Sequence, residues 1–251
     1  MRDLTEYRVL SFDVYGTLID WESGIAAVLR PWAQEQGLAL DDDQLLVAYA
    51  DAEAEVARTR PTAPYPDVLA AAFRAVGESL GRPVSPEWAT RLGESVPSWP
   101  AFPDSRDALA ALARRYHLVI VSNVHRAGFA GSNTQLQGDF AAVITAEDVG
   151  AYKPADNHFE ALKRALPGLG ATPEQLLHVA QSLFHDHVPA RRHGLDSVWI
   201  NRRHDRPGWG ATPQPGGEFS YGAEYPSMEA FAAAVDAAFR AREGLSPEAS
   251  G

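Results

Sequence analysis

The chain has 251 residues, 45% hydrophobic and 22% charged, a balance that excludes fibrous or largely disordered architecture and suits one large domain carrying a smaller insert. Twenty-two basic against 33 acidic side chains leave a net charge of −11, which opposes nucleic acid as a partner, and the lack of cysteine removes thiol catalysis, disulfides and thiolate metal sites. No run approaches the ~18 apolar residues of a membrane span, and MRDLTEYRVL carries acids where a secretory leader needs an apolar stretch, so no membrane association and a cytoplasmic location are expected.

In chain order, the first short apolar run is Val9-Leu10-Ser11-Phe12, ended by Asp13. Residues 21–97 then read as helix after helix, over 24–36, 43–58, 66–77 and 86–92, punctuated by Pro61, Pro64 and Pro83. Asp104 is a candidate cap for a helix over 105–116, with Leu109 and Leu112 on one face. The runs Leu118-Val119-Ile120-Val121 and Ala142-Val143-Ile144 follow, then a helix capped by Asp156 and carrying Phe159, Leu162 and Leu166. Leu177-His178-Val179 and Ser197-Val198-Trp199-Ile200 complete the strands; 201–226 is rich in Gly and Pro and reads as irregular, before a helix around 228–242 and a frayed tail. Runs this short and rich in Val and Ile suit strands buried on both faces. Strands alternating with helices predict an α/β fold: a Rossmann-like parallel sheet core, residues 1–18 plus 98–251, with an inserted all-helical cap domain over 19–97.

Ligands of such sheets bind beyond the carboxyl ends of the strands. Asp13 ends the first strand, where a carboxylate must be hydrogen-bonded, and Tyr15-Gly16-Thr17 can curl backbone N–H groups toward it; the plainer reading is an aspartate bracing its own turn. Ser122 and Asn123 end the second strand and offer a hydroxyl and an amide to an anion, or a cap to the next helix. Lys153 follows the third strand and is one of only two lysines, the other being Lys163; its compact charge suits a place beside a carboxylate. After the fourth strand, His185 and His187 invite a metal reading, but positions two apart on a helix do not share a face and no third ligand is evident, so Asp186 is the better functional candidate.

Together, Phe-Asp-x-Tyr-Gly-Thr-Leu on the first strand, Ser-Asn on the second, Lys-Pro after the third and an Asp after the fourth resemble the haloacid dehalogenase superfamily over the whole chain. FDVYGTL looks like the L-2-haloacid dehalogenase branch, and WPAFPDS, TAEDVGAYKP and HDHVPA are similar to the related azetidine-2-carboxylate hydrolases. The resemblance implies that Asp13 is a nucleophile attacking C2 of a short carboxylic acid, held by Lys153. Ser122 and the Thr17 region would anchor the substrate carboxylate, Asp186 would position or deprotonate water, and Tyr15 and Asn123 would line the leaving-group side. Gln181, Ser182 and His185 would complete the substrate-binding set. Phosphatases of the superfamily place an acid where Tyr15 stands, to protonate a departing alkoxide, and a magnesium-binding carboxylate where Gln181 stands; neither a metal nor another cofactor is therefore expected.

Departures from the dehalogenase pattern matter as well. The stretch over 43–49 lacks the arginine that such enzymes use to grip halide, with Arg58 and Arg60 the nearest substitutes; Phe159 replaces a tyrosine, and Gln181 and Leu183 replace Ser and Asn. The expected function is a metal-independent hydrolase of short 2-substituted carboxylic acids, most simply an L-2-haloacid dehalogenase releasing halide and a 2-hydroxy acid. Azetidine-2-carboxylate ring opening is the second reading, and a non-catalytic binding member or a phosphatase the third. The partner is a small carboxylic acid; a homodimer through the cap is implied by the resemblance alone. Trp21, Tyr65, Trp99 and Phe102 either wall a pocket or pack cap against core, and the segment with Arg202, Arg203, His204 and Trp209 either closes over the pocket or covers the sheet edge.

Overall fold

Apolar runs without polar alternation bury both faces, and these do so in one parallel sheet. In the computed structural model, which describes residues 1–244, β1 (Val9–Phe12) is followed by α1 (Trp21–Glu35), α2 (Asp42–Thr59), α3 (Tyr65–Ser79) and α4 (Pro86–Gly93) before the next strand. Then come α5 (Ser105–Leu112), β2 (His117–Ser122), α6 (Arg126–Leu136), β3 (Ala142–Thr145), the single turn α7 (Ala146–Val149) and α8 (Asn157–Ala165). The chain continues through β4 (Leu176–Ala180), a π-helical turn at Leu183–His187, α9 (Val188–Arg192), β5 (Asp196–Ile200), β6 (Ala223–Tyr225) and α10 (Met228–Arg242). The strand order is β3-β2-β1-β4-β5-β6, every pair parallel. The chain thus runs outward from β1 on one side, then returns to its other side, which makes the carboxyl end of β1 the switch point where a crevice opens. Phe12 is in register with Ile120 of β2 and Val179 of β4, so the residues just past all three strands face one edge.

Alternate strand residues feed two cores. Leu10, Phe12, Leu118, Ile120, Leu177 and Val179 join the larger one, shared with α5, α10 and the helical insert; Val9, Val119, Val121 and Leu176 join the other, under Phe159 and Leu162 of α8. Within the insert, α1 buries Ile25, Leu29 and Trp32, and the Trp32 ring meets Phe73 of α3 edge-on at 5.1 Å. The insert begins where Asp20 accepts from the Ser23 N–H, and Asp41 forms a capping box with Gln44 at the start of α2, which is why both helices start earlier than their apolar patterns suggest.

Several expectations need correction. Asp104 and Asp156 do stand at the N-cap positions of their helices, but their carboxylates make no capping bond: distant arginines engage them instead, Arg202 that of Asp104 and Arg192 that of Asp156. The α5 helix stops at Leu112, because residues 113–116 turn to feed β2. Residues 201–226 are irregular except for β6, three residues too short to show a pattern. The expected frayed tail lies, beyond residue 244, outside the described residues. No described helix is long and apolar enough to cross a membrane.

Candidate active site

Asp13 is 6% exposed at the end of β1. The tight turn that follows spends the Gly16 and Thr17 amides on Ile19 O and Val14 O, not on the aspartate. The Asp13 carboxylate is instead held by side chains: Thr17 Oγ1 donates to Oδ2 at 2.7 Å and Lys153 Nζ donates to Oδ1 at 2.9 Å. Thr17 Oγ1 also accepts from the Gln181 N–H at 2.9 Å, tying the β1 turn to the β4 loop. Gly16 makes that turn possible with φ +94°, and a side chain there would crowd Gln181 Oε1 and the Trp21 indole.

Lys153 places its ammonium with three acceptors: Asp13, the Val121 carbonyl at 3.0 Å and Asp186 Oδ1 at 2.7 Å. Asn123 fixes the lysine backbone, accepting from its N–H at 2.6 Å and donating to its carbonyl at 3.3 Å. Behind Asp186 stands a relay that sequence reading missed. His178 Nε2 lies 2.9 Å from Asp186 Oδ1 and its Nδ1 lies 2.8 Å from Ser11 Oγ; both residues sit inside apolar runs, where a polar side chain reads as filler.

The two carboxylates are poised differently. Burial pushes Asp13 above the usual carboxylate range, opposed by Lys153 and reinforced by the nearby Asp186 charge. Burial works against Asp186 too, but the Lys153 ammonium and the His178 hydrogen bond overcome it and hold that carboxyl well below the usual range. Burial disfavours the Lys153 charge, yet the two facing carboxylates raise it, so the ammonium persists.

Asp13 opens into a cavity with about 30 Å3 of room for the centre of a water-sized sphere, enough for two or three small groups. Tyr15, Ser122, Asn123, Lys153, Ser182, His185 and Asp186 line it too, so the structure brings together eight of the ten candidate residues. Thr17 and Gln181 do not line it: Thr17 lies beneath Asp13, and Gln181 turns its amide oxygen to Thr212 Oγ1 at 3.2 Å. Burial lowers His185 to about 4; its Nδ1 contacts Ser182 Oγ at 3.0 Å and its Nε2 has no hydrogen-bond partner among the described residues. Wider clefts of about 450 and 550 Å3 flank the cavity, one sharing Trp21 and the other Lys153 and His185, but Asp13 lines neither.

Of the four aromatic candidates, Trp21 and Tyr65 wall the cavity, Trp99 stands edge-on to Tyr15 at 5.5 Å, and Phe102 lies under the Arg202 guanidinium. The 201–226 segment reaches the site: Arg202 donates to Thr17 O, Arg203 pairs with Glu22, and Thr212 lines the cavity. Glu53 of α2 also lines it and was missed, although it falls on the same helical face as Leu45, Leu46, Tyr49 and Ala57. Arg58 points outward to Glu55 and Arg60 is exposed, so neither stands in for a halide-gripping arginine. His187 is structural, bonded to Ser197 Oγ and Ala180 O, and Phe159 is buried against His178 away from the cavity.

The donor set does not suit a magnesium ion. Octahedral oxygen coordination wants several free carboxylate oxygens, but both Asp13 oxygens are held by Thr17 and Lys153 and Asp186 Oδ1 by Lys153 and His178, which leaves Asp186 Oδ2 as the one unpartnered oxygen of the pair, and the ammonium itself lies between the two aspartates. Gln181 offers only an amide oxygen, already engaged. Among the described residues no cluster of three His, Asp or Glu forms elsewhere.

No curated protein matches the chain. Among solved structures, an L-2-haloacid dehalogenase is 25% identical with TM-score 0.74, over 92% of this chain and 99% of that one. The L-2-haloacid dehalogenase from Xanthobacter autotrophicus with chloropropionic acid covalently bound is 18% identical with TM-score 0.71, over 94% and 98%. The HAD-hydrolase YfnB from Bacillus subtilis, bound to magnesium, is 20% identical with TM-score 0.71, over 92% and 99%. The sequence model of the haloacid dehalogenase-like hydrolases matches residues 7–183 with the aspartate, serine and lysine described above inside it, and the chain belongs to that family.

Proposed function

We propose that this hydrolase displaces a leaving group from C2 of short 2-substituted carboxylic acids through an ester on Asp13, without a metal. The observation that carries this is the Lys153–Asp13 contact at 2.9 Å with Tyr15, a phenol bonded to Ser132 at 2.9 Å, two residues on. A phosphate ester expels an alkoxide that needs an acid, and burial pushes the Tyr15 phenol further up, so the group in that position is a far weaker acid than a carboxylic acid would be. Halide leaves without a proton, and a ring ammonium already carries its own.

An Asp13 carboxylate oxygen bonds to C2 while the leaving group departs with the bonding pair. Ser122 Oγ, which accepts from the Val124 N–H, keeps its hydrogen for the substrate carboxylate. Water then adds to the Asp13 carboxyl carbon and the 2-hydroxy acid departs with the original aspartate oxygen. Asp186 is held too acidic to take a proton readily; His185, neutral above about pH 4 and open at Nε2, is the better base for that water. In this reading residues 19–97 cap the cavity.

Two leaving groups fit. Halide follows from the fold shared with L-2-haloacid dehalogenases. Ring nitrogen, as in azetidine-2-carboxylate, is favoured by the absence of arginine from the cavity wall. L-2-chloropropionate and azetidine-2-carboxylate, each run as a single turnover in 18O-water with excess enzyme, test the proposal. The label is expected in the peptide containing Asp13, and Asp13→Ala is expected to lose about ten-thousand-fold or more in turnover. Label found only in the product overturns the ester.

A further inference from the structure

The chemistry above leaves one buried acid unused. Glu53 is 4% exposed on the inner face of α2 and meets the same small cavity as Asp13 from the side of the helical insert. No donor among the described residues hydrogen-bonds to it. Burial alone lifts its carboxyl to about 7, and burial together with the Glu53 charge pushes the neighbouring Tyr49 and Tyr65 phenols up. An unpartnered carboxylate in such a place costs stability unless something else satisfies it.

The charges on the wall say what that partner is. Asp13, Glu53 and Asp186 are acids; among the described residues lining the cavity Lys153 is the only cationic side chain, fully engaged by Asp13, Asp186 and Val121 O, and His185 is neutral. A halo acid brings only a further negative charge to this surface. A zwitterion brings a carboxylate for the Ser122 side and a cation for Glu53, and Tyr15, Trp21 and Tyr65 supply the aromatic walls that favour a cation between them.

We propose that Glu53, with Tyr15, Trp21 and Tyr65, is a receptor for a cationic nitrogen on C2, and that the preferred substrates are small cyclic 2-amino acids whose strained ring ammonium is the leaving group. This rests on the aspartyl-ester reading. Asp13 bonds to C2, the C2–N pair moves to nitrogen, and the ring ammonium becomes a neutral primary amine at the far end of the opened chain, which takes up a proton from water. Hydrolysis of the ester returns Asp13 and releases a 2-hydroxy acid bearing that amine. The room beside Asp13, about 30 Å3, favours a small ring over a large one.

Glu53→Gln removes the charge and keeps the shape, whereas Glu53→Asp keeps the charge. With azetidine-2-carboxylate and L-2-chloropropionate as substrates, Glu53→Gln is expected to shift the ratio of their kcat/KM values toward the halo acid on the order of a hundredfold, chiefly through the KM of the ring substrate, with part recovered in Glu53→Asp. In Asp13→Asn, which does not turn over, azetidine-2-carboxylate is expected to bind by calorimetry, and the added Glu53→Gln change to weaken it by a similar factor. An unchanged ratio, or no binding to Asp13→Asn, overturns the receptor. Chloride release with label on Asp13 but no Glu53-dependent ring binding sinks the receptor and leaves the ester standing; Glu53-dependent binding without label on Asp13 does the reverse.

Discussion

Asp13 and Asp186 touch the same ammonium, yet burial and the Asp186 charge hold one above the usual carboxylate range while Lys153 and His178 hold the other below it. On the proposed aspartyl-ester route only ionised Asp13 can attack carbon. Activity is therefore present above the raised Asp13 pKa and lost as pH falls through it, so the acid limb of kcat/KM is expected above the ordinary value of 3.8. In Lys153→Met the limb should move to still higher pH and turnover should fall at least about a hundredfold; a limb at the ordinary value in both proteins would contradict this account. Asp13, Ser122 and Lys153 were legible in the chain because each ends or follows a short, continuous apolar run of the kind that marks a strand buried on both faces. Glu53 was legible in principle, as an acid on an otherwise apolar helical face. Thr212 and His178 were not: one reaches the site from an irregular segment, and the other is a polar residue within a buried strand, recognisable only once Asp186 is beside it.

Helices of the insert were readable to within a few residues because their apolar stripes repeat at helical spacing, whereas β6 offers three residues and no stripe. Caps were the weaker signal, since Asp104 and Asp156 are claimed by arginines nearly a hundred and nearly forty residues away. The joint between insert and core depends on Gly24 of α1, where an added Cβ would overlap the indole of Trp99, itself 1% exposed and edge-on to Tyr15. Gly24→Val is expected to cost roughly 1–3 kcal/mol in urea unfolding and to reduce turnover by displacing the Trp99–Tyr15 wall. Stability and turnover both unaffected would show that the indole moves freely.

The strand order joins residues far apart in sequence, Val9 with Leu176 for instance, and single-strand patterns carry no record of such partners. The whole molecule also carries neutral histidines in its interior. His158 and His187 are fully buried, and desolvation, the largest cause in each, lowers both from 6.5 to about 4. The unfolded chain binds their protons first, so stability should fall as pH drops through 6.5 and level off near 4, by roughly 3 kcal/mol for each histidine. Urea midpoints between pH 7 and 5 measure this, and a flat profile would contradict it. Finally, Lys153 is one of two lysines, and its side chain is 1% exposed beneath the insert. An amine-acylating reagent is expected to mark Lys163 steadily but Lys153 only when its surroundings open. The ratio of the two adducts, followed by mass spectrometry, then serves as a clock for admission of substrate, and one that a bound ligand should slow.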